Sequence, residues 1–276
     1  MTTAQDLPEL AEADASPSIR VIYAGLKDAA ASPIAALIWR HIATHPGVLE
    51  ACWASLAPVV ANGRLAHIAW QVAREASPSD LLPRIEPRAR PLLGISPDDA
   101  QAIQAVAEAY NRANPFNLLA VLTLLARIAD DAPAQAIVPP SPMALPPPVG
   151  RALPPMTPPS AMSPEIRWLL NDLRFGDTSS LDSVVPSLYR HLTGWPAYLA
   201  VLHIALAPMY RDGRMADAAR RVQERMAVEA AKLAREIGPV PPLARNPALQ
   251  ATMQRFAGGF IPMMIVVGRA MSRQLD

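Results

Sequence analysis

The chain has 276 residues, a formal net charge of +1 from 25 basic and 24 acidic residues, and a hydrophobic content of 51%. This composition supplies a sizeable core and excludes a wholly disordered protein. The near-neutral charge gives no sign of the clustered basic excess expected for nucleic-acid binding, so we expect no nucleic-acid partner.

The first half of the chain has the pattern of successive helices. Ser16-Pro17 and Ser96-Pro97, like Ser163-Pro164 in the second half, are typical helix starts, in which serine caps the helix and proline occupies the first turn. Pro46 is predicted to begin the helix that carries Trp53. After Ser96 the apolar residues recur at helical spacing, and Asn114-Pro115 is predicted to separate that helix from a final apolar one.

A proline-rich segment follows, with 12 prolines in the 32 residues from Pro133 to Pro164. Proline fixes φ and removes a backbone donor, so this segment is predicted to be extended. We therefore divide the chain into a first helical repeat (1–132), a proline-rich linker (133–163) and a second helical repeat (164–276). The linker is either a passive tether or a ligand for a proline-binding module. Apolar members such as Leu153 and Met156 favour contact with the fold.

The second half repeats features of the first. Arg40-His41 matches Arg190-His191 at an offset of 150 residues, and further pairs follow at the same offset. We interpret this as a tandem duplication. Helical signals dominate both halves and alternating β-branched runs are nearly absent, so the predicted fold class is all-α. Two such repeats related by a pseudo-twofold axis form a pseudo-dimer with a cleft between them, the usual place for a small-molecule site.

The sequence argues against disulfide and multi-cysteine metal sites and against a secreted or membrane location. Cys52 is the single cysteine, which rules out an intramolecular disulfide framework and a multi-cysteine metal site. The acidic N-terminal stretch has no signal-peptide pattern. The longest apolar run, Phe256 to Gly268, is shorter than the roughly 20 residues of a membrane span. We expect a cytoplasmic protein with no membrane partner, no metal and no cofactor.

Some polar residues are candidates for chemistry. His41 and His191 occupy equivalent repeat positions, and we interpret them as buried, hydrogen-bonded structural histidines rather than metal ligands. Asp172, Asp177 and Asp182 precede the second Arg-His segment, and they are either solvated helix-end carboxylates or include one that turns inward as a general base. Asn114 is either a helix cap or an amide presented into a cleft, where it positions a water molecule or holds a carboxylate.

The pattern resembles the group I 2-haloacid dehalogenases, which act on both enantiomers of short 2-halocarboxylic acids. The two-part layout with a proline-containing linker agrees with that family. The matching stretches are Arg40, Ala43-Thr44, Pro46-Gly47, Asn111, Asn114-Pro115, Leu118-Leu119, Trp195-Pro196 and Leu206-Ala207-Pro208. A broader relative is the alkylhydroperoxidase-like helical fold, whose peroxidase chemistry is excluded here because it needs two cysteines.

The resemblance implies an active site between the two repeats. It implies that an aspartate activates a water molecule for direct attack on the halogen-bearing carbon, and that Asn114 helps to hold that water. The serine before the catalytic aspartate falls on Ser187, whereas the aspartate itself falls on Leu188, which cannot accept a proton. Two aromatic pocket positions fall on Ile34 and Leu37.

Two interpretations of the missing base stay open. Either the alignment slips and a nearby carboxylate such as Asp182 serves as the base, or the protein does not dehalogenate by this mechanism. The first makes it a hydrolase with Asn114 and Asp182 as catalytic residues, and the second makes it a divergent small-ligand-binding member. The expected ligand is a small carboxylic acid, and a homodimer is a possible assembly. The predicted substrate-binding residues are Ile34, Leu37, Asn111, Ser187, Leu188 and Tyr189. A third hypothesis is an interaction protein that acts through the linker.

Overall fold

The computed structural model describes residues 7–78, 80–130, 143–147, 149–174 and 185–275. Within these ranges the regular structure is helical and no strand occurs, which confirms the predicted all-α class. The α-helices in chain order are α1 (Pro17–Ala29), α2 (Leu37–Ile42), α3 (Val48–Val60), α4 (Arg64–Ala76), α5 (Pro97–Ala129), α6 (Pro164–Asp172), α7 (Ser187–His191), α8 (Pro196–Arg211), α9 (Arg214–Leu233), α10 (Pro247–Arg255) and α11 (Ile261–Met271).

The predicted serine caps are formed. The Ser16 and Ser163 hydroxyl oxygens each accept a hydrogen bond from the backbone N–H three residues later, at 3.3 Å. Ser96 forms a full capping box, in which its hydroxyl oxygen accepts from the Asp99 N–H at 3.1 Å and the Asp99 carboxylate accepts from the Ser96 N–H at 2.9 Å. Each cap satisfies backbone donors that the first helical turn leaves unpaired.

Helix α5 corrects one sequence prediction. Asn114-Pro115 does not separate two helices, because α5 runs without a break from Pro97 to Ala129. Proline inside a helix removes the N–H that would bond to the carbonyl four residues earlier, here that of Asn111. Burial offsets this loss, since residues 118–121 on α5 are fully buried.

The core is organised around α5, which packs against α4, α9 and α11. Helices α10 and α11 are joined by one π-helical turn, Phe256–Phe260, so that they form a nearly continuous rod. Extra residues in a π turn shift the side chains that follow it, and such turns are frequent at functional sites. This rod and α5 together frame the site described below.

Local features of the two halves correspond to each other. Gly63 and Gly213 precede α4 and α9 with φ values of +74° and +83°. His41 and His191 lie in the last turns of α2 and α7, and each ring Nδ1 lies at hydrogen-bond distance from a proline carbonyl, that of Pro8 for His41 and that of Pro154 for His191. These correspondences agree with the predicted duplication, which itself stays a prediction. The repeat boundaries and the pseudo-dimer stay predictions.

The described parts of the linker lie against the helices. The Met143 N–H donates to the Asn62 carbonyl at 2.9 Å, and the Thr157 N–H donates to the Arg190 carbonyl at 3.3 Å. Residues 131–142 and Pro148 lie outside the described residues. The hypothesis that the linker is a ligand for a proline-binding module stays a prediction.

A pair of glycine variants tests this linker placement. We expect Gly213→Ala to lower the free energy of unfolding by about 1–2 kcal/mol, the usual cost of a left-handed non-glycine residue. Gly63→Ala introduces the same backbone strain. Its new Cβ would also lie 2.8 Å from the Met143 carbonyl oxygen, whereas a Cβ at position 213 would have no atom within 4 Å. Gly63→Ala is therefore the more destabilising change in urea denaturation. Equal losses for the two variants would contradict this packing of residues 143–147.

In the described part of the chain, no helix combines the length and the hydropathy needed to cross a membrane. The cytoplasmic location stays a prediction.

Candidate functional site

A cavity of about 400 Å³ lies between the first and second halves of the chain. Its walls come from the start of α2, the middle of α5, α7, the π turn with α11, and the linker. Five of the residues predicted from the sequence line it together: Ile34, Leu37, Asn114, Ser187 and Leu188.

The α2 wall is apolar except for Arg40. Ile34 and Leu37 present aliphatic surface to the cavity. The Arg40 guanidinium is neutralised, because its Nη2 lies 2.6 Å from the Glu9 carboxylate, and its Nη1 donates to the Ala35 carbonyl. Glu12 also reaches the cavity, and its carboxylate pairs with Lys27 at 2.6 Å. Both of these charged groups, Arg40 on α2 and Glu12 in the segment before α1, are thus already paired.

The α5 wall supplies amides and a phenol. The Asn117 Oδ1 accepts a hydrogen bond from the Trp39 Nε1 at 2.7 Å, which ties α2 to α5 next to the cavity. The Asn114 Nδ2 is buried and has no hydrogen-bond partner among the described residues. A buried amide donor without a partner is costly, so a bound polar group or water molecule would be stabilising there. Burial raises the pKa of the Tyr110 phenol, which therefore stays protonated.

The α7 wall carries Ser187, Leu188 and His191. Leu188 is only 1% exposed and closes this side of the cavity with aliphatic carbon. The His191 Nδ1 lies 2.5 Å from the Pro154 carbonyl oxygen. A carbonyl can only accept, so Nδ1 carries the proton and donates it. In the neutral ring, Nε2 is then the proton acceptor.

Burial sets the protonation state of His41 and His191, the two histidines at equivalent repeat positions. Burial lowers the pKa of His191 from its ordinary value of 6.5; the hydrogen bond to the Pro154 carbonyl partly opposes this lowering, and the positive charge of Arg190 adds to it. Burial also lowers the pKa of His41, whose Nδ1 bonds to the Pro8 carbonyl at 2.8 Å. His191 is therefore neutral at pH 7 and able to accept a proton. Both histidines are buried and hydrogen-bonded, as expected from the sequence.

These shifts predict how stability depends on pH. The folded protein binds protons on His41 and His191 less readily than the unfolded chain does, because both pKa values are lowered from 6.5. The free energy of unfolding is thus retained above about pH 6.5 and decreases as the pH falls below it. Urea denaturation at pH 7.5 and 5.5 measures this loss. We expect a smaller loss in the His41→Gln/His191→Gln double variant and an unchanged one in a His67→Gln control. The wild-type loss in the double variant would contradict the assignment.

The remaining walls are apolar and were missed by the sequence analysis. Phe256 and Phe260 of the π turn line the cavity with ring centroids 5.6 Å apart, next to Met264 of α11. Leu153 and Met156 bring the linker to the same cavity. The aromatic pair within the long C-terminal apolar run was the available signal for the first group. The apolar residues between the linker prolines were the signal for the second.

Two predicted site residues lie outside this cavity, and a third is not among the described residues. Tyr189 is fully buried and does not line the cavity. Asn111 also lies outside it, and its Nδ2 donates to the Gly268 carbonyl of α11 at 3.0 Å. Asp182 lies outside the described residues. Their predicted roles stay predictions.

The chemistry available in the described cavity is that of a mostly apolar pocket with a few polar groups. The hydroxyl of Ser187, the amide of Asn114 and the neutral imidazole of His191 are its uncharged hydrogen-bonding groups of most interest, and its charged groups are paired. Across the described ranges, no group of three or more histidine, cysteine, aspartate or glutamate side chains is arranged to hold a metal ion. The arrangement suits a small organic molecule with one polar end.

Comparison with known proteins gives structural similarity at low sequence identity. No protein-family model matches the sequence, and no curated protein matches it significantly. Among solved structures, a D-2-haloacid dehalogenase mutant in complex with D-2-CPA and a D-2-haloacid dehalogenase in complex with L-LA each match with a TM-score of 0.74 and 17% identity, over 100% of this chain and 98% of theirs. A further mutant matches over the same shares with a TM-score of 0.75 and 16% identity. The chain therefore has the all-helical fold of the D-2-haloacid dehalogenases along its whole length.

Proposed function

We propose that the cavity binds a short 2-halocarboxylic acid, or a related small carboxylic acid, and hydrolyses it by attack of a water molecule. The observation that supports this most is the convergence of Ile34, Leu37, Asn114, Ser187 and Leu188 on one cavity. The sequence resemblance selected these residues without structural information. The shared fold with D-2-haloacid dehalogenases supports the same substrate class.

In this proposal the polar groups act on a water molecule. The Asn114 amide, whose buried nitrogen has no hydrogen-bond partner in the described part of the chain, holds the water. The water attacks the halogen-bearing carbon, the carbon–halogen bond breaks, halide leaves, and a base takes the proton that the water loses. The resemblance assigns that base to the position of Leu188, which cannot serve. His191 is a neutral proton acceptor on the same wall, three residues later. Asp182 is the other candidate.

Halide release from the two enantiomers of 2-chloropropionate tests the proposal. We expect the purified protein to release chloride and Asn114→Leu to release it more slowly, because the water loses its amide partner. Asp182→Asn and His191→Gln, measured in parallel, identify the base. No chloride above a protein-free control from either enantiomer would contradict hydrolytic dehalogenation.

A second candidate function is binding without chemistry. It is favoured by Leu188, which places aliphatic carbon on the wall where the resemblance expects a carboxylate. In that case 2-chloropropionate stabilises the protein without being consumed. A ligand at 100 times its dissociation constant adds about 2.7 kcal/mol to the free energy of unfolding. Thermal denaturation with a panel of small acids and uncharged analogues measures this effect. Stabilisation by uncharged compounds alone would exclude a carboxylic acid as the ligand.

A further inference from the structure

A second cleft, of about 540 Å³, lies on another side of α5 and is independent of the proposed function. Helix α4 contributes Trp70 and Arg74, and the end of the chain contributes Arg269 and Ser272. Helix α5 contributes Glu108 and Arg112, which are paired with each other. Asn111, which was predicted to bind substrate, also lines this cleft, whereas the residues named above were assigned no role by the sequence analysis or by the resemblance.

Two guanidinium groups in this cleft have no ion-pair partner among the described residues. Arg269 is half-buried, and its Nε is buried without a hydrogen-bond partner among the described residues. Arg74 is exposed at the rim. The acidic side chains nearby are committed elsewhere, since Glu108 pairs with Arg112, and Glu75 pairs with Arg225 at 2.6 Å.

The local charge is therefore positive and unbalanced. A partly buried charge is costly unless it is paired. Burial lowers the pKa of Arg269, and the neighbouring charges of Arg74 and Arg273 lower it further. An anion bound between the two guanidinium groups would offset the cost of the unpaired buried charge and the repulsion between the two arginines.

We propose that this cleft binds a small molecule through a phosphate group held between Arg74 and Arg269. The guanidinium fork matches phosphate geometry, and two such groups together balance its double negative charge. The cleft is larger than a phosphate ion alone, so room remains for the organic part of a phosphate ester beside the Trp70 indole.

Thermal denaturation at matched ionic strength, with inorganic phosphate as the probe, tests the proposal. We expect phosphate at 100 times its dissociation constant to raise the Tm by roughly 5 °C. Acetate, with a single charge, is expected to raise it by less. Arg269→Met should lose the phosphate-dependent rise while keeping or improving its Tm without phosphate, because it removes an unpaired charge.

Two further variants make the test decisive. Arg74→Met changes an exposed residue, carries little risk to folding, and should also lose the rise. Arg20→Met removes an exposed arginine from α1, outside the cleft, and should keep the rise. A wild-type rise in both Arg269→Met and Arg74→Met would show general salting-out by phosphate and overturn the site. An equal rise with acetate would overturn the preference for phosphate, and no rise with either anion would overturn the proposal.

Discussion

Replacing His191 by glutamine is expected to lower halide release from 2-chloropropionate by about 10²–10⁴-fold, the usual contribution of a general base. Glutamine keeps a hydrogen-bonding side chain of similar reach but cannot accept a proton at neutral pH. In the wild-type protein, the acidic limb of the rate profile should lie below pH 6.5, because burial lowers the pKa of His191. Initial rates measured from pH 4.5 to 8 check both expectations.

His41→Gln is the matched control for this change. His41 is buried to a similar degree as His191, at 7% and 8% exposure, and makes the equivalent bond to a proline carbonyl, but it lies outside the cavity. We expect His41→Gln to keep the wild-type rate. If His191→Gln keeps the wild-type rate and Asp182→Asn loses it, the base is the carboxylate. Equal losses in His41→Gln and His191→Gln would indicate a structural effect of both histidines.

Replacing Trp39 by alanine is expected to lower the free energy of unfolding by about 3–5 kcal/mol, as for other buried large-to-small aromatic changes. Trp39 is 1% exposed and joins α2 to α5 through its bond to Asn117. Trp39→Phe retains most of the packing but leaves the buried Asn117 oxygen unpaired, which costs about 1–3 kcal/mol. Urea denaturation measures both losses.

Trp168→Ala is the control for general loss of an indole. Trp168 is 62% exposed, so its replacement should change the free energy of unfolding by less than about 0.5 kcal/mol. Similar losses at Trp39 and Trp168 would contradict the buried link between α2 and α5. Because this link lies beside Asn114 and Leu37, we also expect Trp39→Phe to weaken the binding of 2-chloropropionate.

Helix starts and fold class were predictable because they depend on local sequence. Serine followed by proline fixes a cap and a first turn within four residues, and the caps at Ser16, Ser96 and Ser163 form as expected. The interruption expected at Asn114-Pro115 was wrong because tertiary burial of the following residues offsets the missing hydrogen bond. That burial depends on α4, α9 and α11, which are distant in sequence from Pro115.

The site was predictable only where the resemblance supplied positions. Asn114 lies in a matching stretch, Ser187 and Leu188 were placed by counting back from the matching Trp195-Pro196, and all three line one cavity. Phe256 and Phe260 have no counterpart in such a match, and their approach depends on a π turn that no simple periodicity reveals. The proton-accepting character of His191 depends on the bond between its Nδ1 and the Pro154 carbonyl, a contact across 37 residues.

The central claim is that the cavity between α2, α5 and α7 is where a small halocarboxylic acid binds. A crystal structure of the protein with 2-chloropropionate, at a pH above 6.5 where His191 is neutral, tests it most directly. We predict that the acid lies within the cavity, in contact with Asn114, Ser187 and His191. Binding of the acid only in the cleft of Arg74 and Arg269, or an empty cavity at saturating ligand, would contradict the claim.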